Sequence, residues 1–355
     1  MITADTLQQK IKCGEVIEDL NLSDANLSNY DLAGGIFNNV NFTNTDFTGC
    51  NLKQCLFINC LITAGIFTQA HLDNASFSGS NLADANFSYN SLSFVIFSKC
   101  NLLQVNFNYI KGDAIQFNEC SLDKGFFCHS QLNKCVFSET SLLESNFTQA
   151  KLYKVVFYQI DLRKYLSQNT YFELVNFIEC QQQGLDYHEL SFIQCQFTRN
   201  QLDDVNFESA TINHCLFHGA SLQRANLTYV KADHAQFIDA NLSYANCSAS
   251  LMNQSMWINA NLTSTCFEGS QLVQALFSKS QAIGALFTDT LLEYADFSYA
   301  NISQANFEDA CFNQTQFHCS KQQDTCWGDK SGMLENDPER LRAENWNSSN
   351  QENTH

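Results

Sequence analysis

The chain has sixteen cysteines and eight histidines, the side chains from which thiol nucleophiles and zinc sites are built. No two cysteines have the CxxC spacing of a zinc or redox site. His214 and His218 flank Cys215 and form the best local candidate for a metal site, whereas Cys319 and Cys326 form the best candidate for a reactive pair. Whether these groups meet depends on the side of the backbone on which each one lies.

Other catalytic patterns are missing from the sequence. It contains no glycine-rich phosphate loop, no nucleophile elbow, and no pair of carboxylates that a motif singles out. The sequence therefore predicts a protein that is not an enzyme, with no catalytic residue, no cofactor and no metal.

A repeat with a period of five residues organises the chain. From Leu22 to Phe317 an apolar residue, usually a large one, recurs at every fifth position, which makes 60 units, and Gly112, Ser167 and Gln182 break this apolar column. A small residue usually stands two positions before the apolar one, and a residue that is usually polar stands between them. A period of five fits neither a helix nor a strand, so the chain must turn a corner after each unit and bury two side chains per unit.

Sorting the units by position shows four sides. With four corners a coil takes 20 residues, and one side then holds phenylalanine in every coil from Phe37 to Phe317 except at Trp257. The 60 units give about 15 coils, spaced about 4.8 Å apart by parallel strand pairing. The small interior position takes nine cysteines, which we interpret as small hydrophobes; Cys215 is one of them, so it points away from its histidines. The nine are Cys50, Cys55, Cys60, Cys100, Cys120, Cys135, Cys180, Cys195 and Cys215.

Units such as "ADANF" (83–87), "RANLT" (224–228), "DANLS" (239–243) and "YADFS" (294–298) resemble the pentapeptide-repeat family, whose pattern is A-(D/N)-L-x-x. The resemblance implies an all-β fold, a right-handed quadrilateral parallel β-helix. It does not imply one function: some members of the quinolone-resistance group resemble DNA and bind DNA gyrase, and others are secreted effectors or secretion accessories. The opening segment 7–32 resembles the start of pentapeptide proteins that accompany bacterial type VI secretion.

The sequence predicts three regions in a single solenoid domain. Residues 1–20 form an N-terminal cap with a short amphipathic helix over 3–13, and residues 21–320 form the β-helix. Within it, residues 163–191 are either a projecting loop or an irregular coil, because Ser167 and Gln182 occupy core positions. Residues 321–355 form a polar tail with one short helix over 337–346 and disorder over the last nine residues. The start lacks a signal-peptide core and no long apolar run exists, which favours a cytoplasmic protein without a membrane span; secretion without a signal peptide stays open.

One side of the predicted solenoid presents apolar residues to solvent. On the Phe37 side, the outward position before the core residue is apolar in eight of 15 coils. Two readings stay open: a preference of β-branched residues for regular strands, or a lateral interface with a partner protein or a second copy. The eight residues are Ile36, Leu56, Ile96, Val136, Val156, Leu216, Met256 and Leu276.

A second side is acidic in a chain of net charge −18. The side centred on Leu27 carries eight acids and neither lysine nor arginine. One-signed surfaces repel nucleic acid and attract basic proteins, although acidic surfaces also serve solubility. These acids are Asp46, Asp186, Glu189, Glu208, Glu268, Asp289, Glu308 and Asp309.

Two functions are consistent with these features. The favoured one is a non-enzymatic scaffold that docks a protein along the apolar side, in a setting such as bacterial secretion. The alternative is a DNA-mimicking modulator of DNA gyrase or another topoisomerase, working through the acidic side. Both predict a protein partner and no direct binding of nucleic acid, and a homodimer stays open.

Overall fold

The N-terminal helix caps the first coil in the computed structural model, which describes residues 3–351 and gives only backbone for 347–351. Helix α1 (Ala4–Lys12) begins after Thr3, whose Oγ1 accepts a hydrogen bond from the Thr6 amide at 3.2 Å. Leu7 and Ile11, four residues apart, are its buried side chains. The N-terminal helix predicted from the sequence is confirmed.

The chain divides into two compact units, the first comprising residues up to 185 and 190–200, the second 186–189 and 201 onward. Each unit is a parallel β-solenoid in which residue i pairs with residue i+20, as Phe37 pairs with Phe57 and Asn226 with Asn246. Together they contain about 16 turns. The predicted fold class is therefore confirmed.

Two sides of the first unit form regular sheets. One is a ten-stranded parallel sheet on the Phe37 side, and the other is a six-stranded parallel sheet on the preceding side. The ten strands are β1 (Ile17–Glu18), β2 (Ile36–Asn38), β3 (Leu56–Ile58), β4 (Ser76–Ser78), β6 (Ile96–Ser98), β8 (Gln116–Asn118), β10 (Val136–Ser138), β12 (Val156–Tyr158), β14 (Asn176–Ile178) and β16 (Gln196–Thr198). The six are β5 (Ser91–Ser93), β7 (Lys111–Asp113), β9 (Gln131–Asn133), β11 (Lys151–Tyr153), β13 (Tyr171–Glu173) and β15 (Phe192–Ile193).

Stacked phenylalanines fill the interior of the first unit. Along one side each ring lies parallel to the ring one coil away, with centroids 4.7 Å apart for Phe57 and Phe77. Rings from the opposite side meet them edge to face, as Phe77 meets Phe87 at 6.2 Å and 88°. Both geometries are favourable for aromatic pairs, so the stacked rings fill a narrow tube.

A left-handed backbone forms the corners of the solenoid, with Lys164 as the exception among the described corners. The second residue after the core residue has φ between 49° and 64° where it is not glycine, as at Gln104 (56°). None of these corner residues is Val, Ile or Thr, because a β-branched side chain fits this conformation poorly. Lys164 is absent from the set, which marks a locally different corner.

The segment 163–185 continues the coils of the first unit and forms no projecting loop. Asp161 bridges Gln181, and β13 pairs with β11 and β15 in the usual register. Ser167 and Gln182 occupy core positions and are buried. Polar residues are therefore accommodated inside the tube without breaking its phase.

The second unit extends beyond residue 320, where the sequence pattern weakens. Strand β17 (Asn306–Phe307) pairs with β19 (Cys326–Trp327), and β18 (Thr315–Gln316) pairs with β20 (Met333–Leu334). The coil continues because Trp327 keeps the five-residue phase and stacks on Phe307 at 4.9 Å.

Helix α2 (Pro338–Gln351) follows, longer than the predicted 337–346. It includes residues 347–351, for which the sequence predicts disorder, and residues 352–355 lie outside the described residues. Neither helix of the described chain has the length and apolar character that a membrane crossing requires.

Candidate protein-interaction surfaces

The apolar face, defined as the outward side of the ten-stranded sheet, is the most regular surface of the first unit. Its outward positions carry Ile36, Leu56, Ile96, Val136 and Val156, and the parallel register sets Ile36 beside Leu56 and Val136 beside Val156. Leu56 is 39% exposed and the other four are half-buried. Adjacent coils cover part of each side chain, so the face is a continuous surface rather than a row of projecting residues.

A second row of apolar residues divides this face into two patches. Ile58 lies on the strand of Leu56, whereas Tyr158 and Ile178 pair with each other on β12 and β14. The first patch therefore holds Ile36, Leu56 and Ile58, and the second holds Val136, Val156, Tyr158 and Ile178. Serines of β4 and polar residues of β8 separate them, and Ile96 lies alone in between.

The corresponding side of the second unit also carries outward apolar residues, but most of its coils pair through isolated bridges rather than regular strands. Leu216, Met256 and Leu276 are half-buried at outward positions, but Gln236 bridges the first two and Asp296 follows the third. Two apolar pairs join adjacent coils on this side, Met256 with Leu276 and Ile238 with Ile258.

All seven predicted acids beyond Asp46 belong to the second unit. Asp186 accepts hydrogen bonds from Asn206 Nδ2 at 2.9 Å and from the His188 amide at 3.1 Å, and Glu189 lies 3.6 Å from His188. Glu208 is half-buried and lies 3.4 Å from Asn226 Nδ2. Among the described residues, no lysine or arginine forms an ion pair with Glu208 or with the four exposed acids of this side. These four are Glu268, Asp289, Glu308 and Asp309.

The interior cysteines are buried where the repeat places them. Cys55 Sγ donates to the Leu32 carbonyl at 3.0 Å, and burial raises the pKa of its thiol to about 12. Hydrogen bonding to Cys120, one coil away, and burial raise the pKa of the Cys100 thiol. Protonated thiols of this kind are poor nucleophiles and poor metal ligands, so they are packing residues.

The candidate metal and thiol groups predicted from local sequence do not converge. Cys215 is fully buried, whereas His214 stacks outside on His234 at 4.6 Å and His218 lies 3.8 Å from Asp239. Cys319 and Cys326 are both free thiols.

A cluster that the sequence did not reveal joins α2 to the solenoid of the second unit. His318, Cys319 and Glu344 bring potential metal ligands within 4.8 Å of one another, and His318 Nε2 lies 3.3 Å from Glu344. However, the Asp337 amide donates to His318 Nδ1 at 3.1 Å, whereas a zinc-bound histidine donates from its second nitrogen. The geometry fits a neutral histidine that donates from Nε2 to Glu344. This hydrogen bond attaches helix α2 to the last coils of the second unit. The one sequence signal is a histidine directly after the core residue Phe317; the structure buries this position at His318 and, one coil earlier, at Ser298.

An open depression of about 860 Å³ at one corner of the first unit offers charge but no catalytic pair. Arg163 donates to both oxygens of Asp161, at 2.9 and 2.7 Å, and this bonding holds the pKa of Asp161 below its usual range. The other lining residues include no histidine or cysteine; they are Glu139, Thr140, Ser141, Leu143, Gln159 and Lys164.

Comparisons with known proteins agree with this architecture. A model of the pentapeptide repeat region matches residues 30–107 and 50–127, and a model of eight pentapeptide repeats matches 130–164, 201–243, 220–255, 240–278 and 281–318. No curated protein sequence gives a significant match.

One similar solved structure is HetL, a pentapeptide repeat protein involved in heterocyst differentiation regulation from the cyanobacterium Nostoc sp. strain PCC 7120. HetL is 19% identical to this chain with a TM-score of 0.35, and the match covers 69% of this chain and 87% of HetL. QnrB1, a plasmid-mediated fluoroquinolone resistance protein, is 17% identical with a TM-score of 0.38, over 59% of this chain and 96% of QnrB1. These values carry no argument about function.

Proposed function

The chain belongs to the pentapeptide repeat family, and from that premise we propose that it is a non-enzymatic scaffold that binds a protein along its apolar face. The carrying observation is the pair of apolar patches on one regular ten-stranded sheet. Contiguous apolar surface of this kind is stabilised when a partner covers it. A setting beside bacterial secretion machinery remains a prediction from the N-terminal sequence.

A pair of matched substitutions tests the docking face. Leu56 on the apolar face and Leu61 on the next side of the solenoid are 39% and 40% exposed, so Leu56→Asp and Leu61→Asp place the same charge at equal exposure. Partners captured by the purified wild type are identified by mass spectrometry, and their affinity is then measured with purified components. The proposal expects Leu56→Asp to abolish binding and Leu61→Asp to preserve it. Equal binding by both variants would exclude the apolar face as the docking site.

The acidic face supports a second candidate, a DNA mimic that modulates DNA gyrase. Its seven acids in the second unit span six coil spacings, about 29 Å, and none of them forms an ion pair with lysine or arginine among the described residues. That density, about one charge per 4 Å, is below the one per 1.7 Å of duplex DNA, so this candidate ranks second. A gyrase supercoiling assay with wild type and Glu208→Lys/Glu308→Lys tests it: no effect of the wild type contradicts the mimic.

A further inference from the structure

The ten-stranded sheet of the first unit has a centre, midway between β6 and β8. We propose that two copies of this chain bind each other through the apolar face, related by a two-fold axis that passes through this centre parallel to the strands. Each strand then lies over its counterpart from the opposite end of the sheet, so that β1 faces β16 and β3 faces β12 of the second copy. This inference rests on the docking face proposed above and names its partner.

Charges along the border of the face are complementary in this arrangement. Asp19 follows β1 and Arg199 follows β16, so each lies opposite the other across the axis. Lys99 and Glu119, which follow β6 and β8 and lie 3.6 Å apart within one chain, also lie opposite each other across the axis, so that two such ion pairs meet with opposite charges facing. Because of the symmetry each pair occurs twice, which gives four attractive contacts and opposes no two like charges among these residues.

The charges also select one register. Shifting the second copy by one coil would centre the axis on β6. Lys99 would then face Lys99 of the second copy, and Asp19 would face Glu179. Like charges in direct opposition disfavour that register. The charges on the face therefore favour one alignment of the two copies over non-specific association.

Apolar contacts accompany this register. Leu56 lies opposite Val156 of the second copy and Ile58 lies opposite Tyr158, and both contacts are repeated by the symmetry. Leu56 is the most exposed of the predicted apolar-face residues in this unit. These residues would form two dry patches, one on each side of the axis, whereas Ile96 lies opposite Gln116 at the axis itself and the charged pairs lie at the border.

The dimensions of the face set the expected strength. Ten strands spaced about 4.8 Å apart make a strip about 43 Å long, and three residues per strand make it about 10 Å wide. This area lies at the small end of specific interfaces. We therefore expect a reversible dimer with a dissociation constant in the range of about 1 to 100 μM.

Charge reversal at Asp19 and Arg199 tests the register. Each reversal also removes one surface contact within the chain, the hydrogen bond from Asn39 Nδ2 to Asp19 at 2.6 Å or the ion pair of Arg199 with Glu179 at 3.7 Å, and the mixture of the two variants controls for this loss. Both residues are exposed corner residues with φ of 51° and 55°, and the structure already places arginine and aspartate at such corners, as at Arg224 and Asp204. Asp19→Arg alone creates two Arg–Arg contacts per dimer, and Arg199→Asp alone creates two Asp–Asp contacts. An equal mixture of the two variants restores two opposite-charge contacts in the mixed dimer.

Sedimentation equilibrium at protein concentrations from about 1 to 200 μM, a range that brackets the expected dissociation constant, measures this association. We expect the wild type and Leu61→Asp to dimerise, Leu56→Asp to remain monomeric, and each charge variant alone to weaken dimerisation about tenfold or more. Mixing the two charge variants should restore wild-type affinity. Failure of the mixture to recover, or a dimer unaffected by Leu56→Asp, would overturn the arrangement.

The outcomes separate this inference from the docking proposal. A wild type that stays monomeric throughout the range excludes the dimer. If Leu56→Asp then still abolishes binding of another protein, the docking face stands with a different occupant. If Leu56→Asp affects neither association nor partner binding, both proposals fail.

Discussion

Alkaline pH should destabilise the first unit through three interior cysteines. Cys55, Cys135 and Cys180 are fully buried, and burial raises the pKa of each thiol from its ordinary value of 9 to about 12. When the unit unfolds, these thiols return to water and ionise near pH 9. The folded state then binds more protons than the unfolded state, so stability that is fully present below pH 9 is lost as the pH rises.

The size of the loss in the free energy of unfolding follows from the raised pKa of the three thiols. Between pH 8 and pH 10 each thiol lowers the free energy of unfolding by about 1.4 kcal/mol, because the unfolded form ionises and the folded form does not. Three thiols together should remove about 4 kcal/mol, a large fraction of the stability of an ordinary domain.

Urea unfolding followed by circular dichroism, at both pH values and with a reductant present, measures this loss. The control is the triple variant Cys55→Ala, Cys135→Ala and Cys180→Ala, since alanine fills the same interior position at Ala75 and Ala85. Tyrosines and lysines titrate in both proteins, so the difference between their pH dependences isolates the thiols. Wild type should lose about 4 kcal/mol more than the variant between pH 8 and 10. Equal losses would refute the buried, protonated state of these thiols.

Three further predictions address the corners, the surface thiols and the C-terminal helix. Gln104→Val should lower the free energy of unfolding in urea by about 1–2 kcal/mol, because valine is forced into a left-handed corner. Gln104→Gly should change it by less than about 1 kcal/mol. Equal stability of the two variants would contradict the corner geometry. In native protein a thiol reagent should label the exposed Cys13, Cys311 and Cys326 first and should label the buried cysteines only after denaturation. Mass spectrometry of labelled peptides measures the order of labelling. Early labelling of a buried cysteine would argue against the packing of these thiols inside the solenoid. Hydrogen bonding from Tyr299 is the largest cause that lowers the pKa of Glu344, so the docking of α2 is favoured above the ordinary glutamate pKa and should weaken as the pH falls through the lowered value. Protection factors of the α2 amides, corrected for the intrinsic exchange rate at each pH, should therefore fall in acid, and protection factors that do not fall would exclude this role.

The sequence predicts the coil because every unit has the same requirement for burial and for a corner. An apolar residue and a small residue must be buried within five residues, and a left-handed corner between units solves this at each repeat, as the phase from Leu22 to Phe317 shows. The outward direction of Leu56 and Ile96 follows from the same phase. Their exposure does not, because it depends on how far the residues of adjacent coils cover them.

Features that lie outside the repeat could not be predicted in this way. The contact of His318 with Glu344 joins a coil to a helix 26 residues later, and no periodicity relates the two. The last coil likewise depends on Trp327, a residue type that departs from the phenylalanine pattern while keeping its phase. The division into two units within 186–200 also leaves no mark on the five-residue period.

The accessibility of the apolar face inside cells tests the central claim most directly. Leu56→Cys and Leu61→Cys, each in a protein with serine at positions 13, 311 and 326, are compared for maleimide labelling in intact cells and as dilute purified protein. If the apolar face docks a protein, position 56 should label several-fold more slowly in cells than in dilute solution, while position 61 labels at similar rates in both. Equal rates for position 56 in cells and in dilute solution would contradict a protein-covered apolar face.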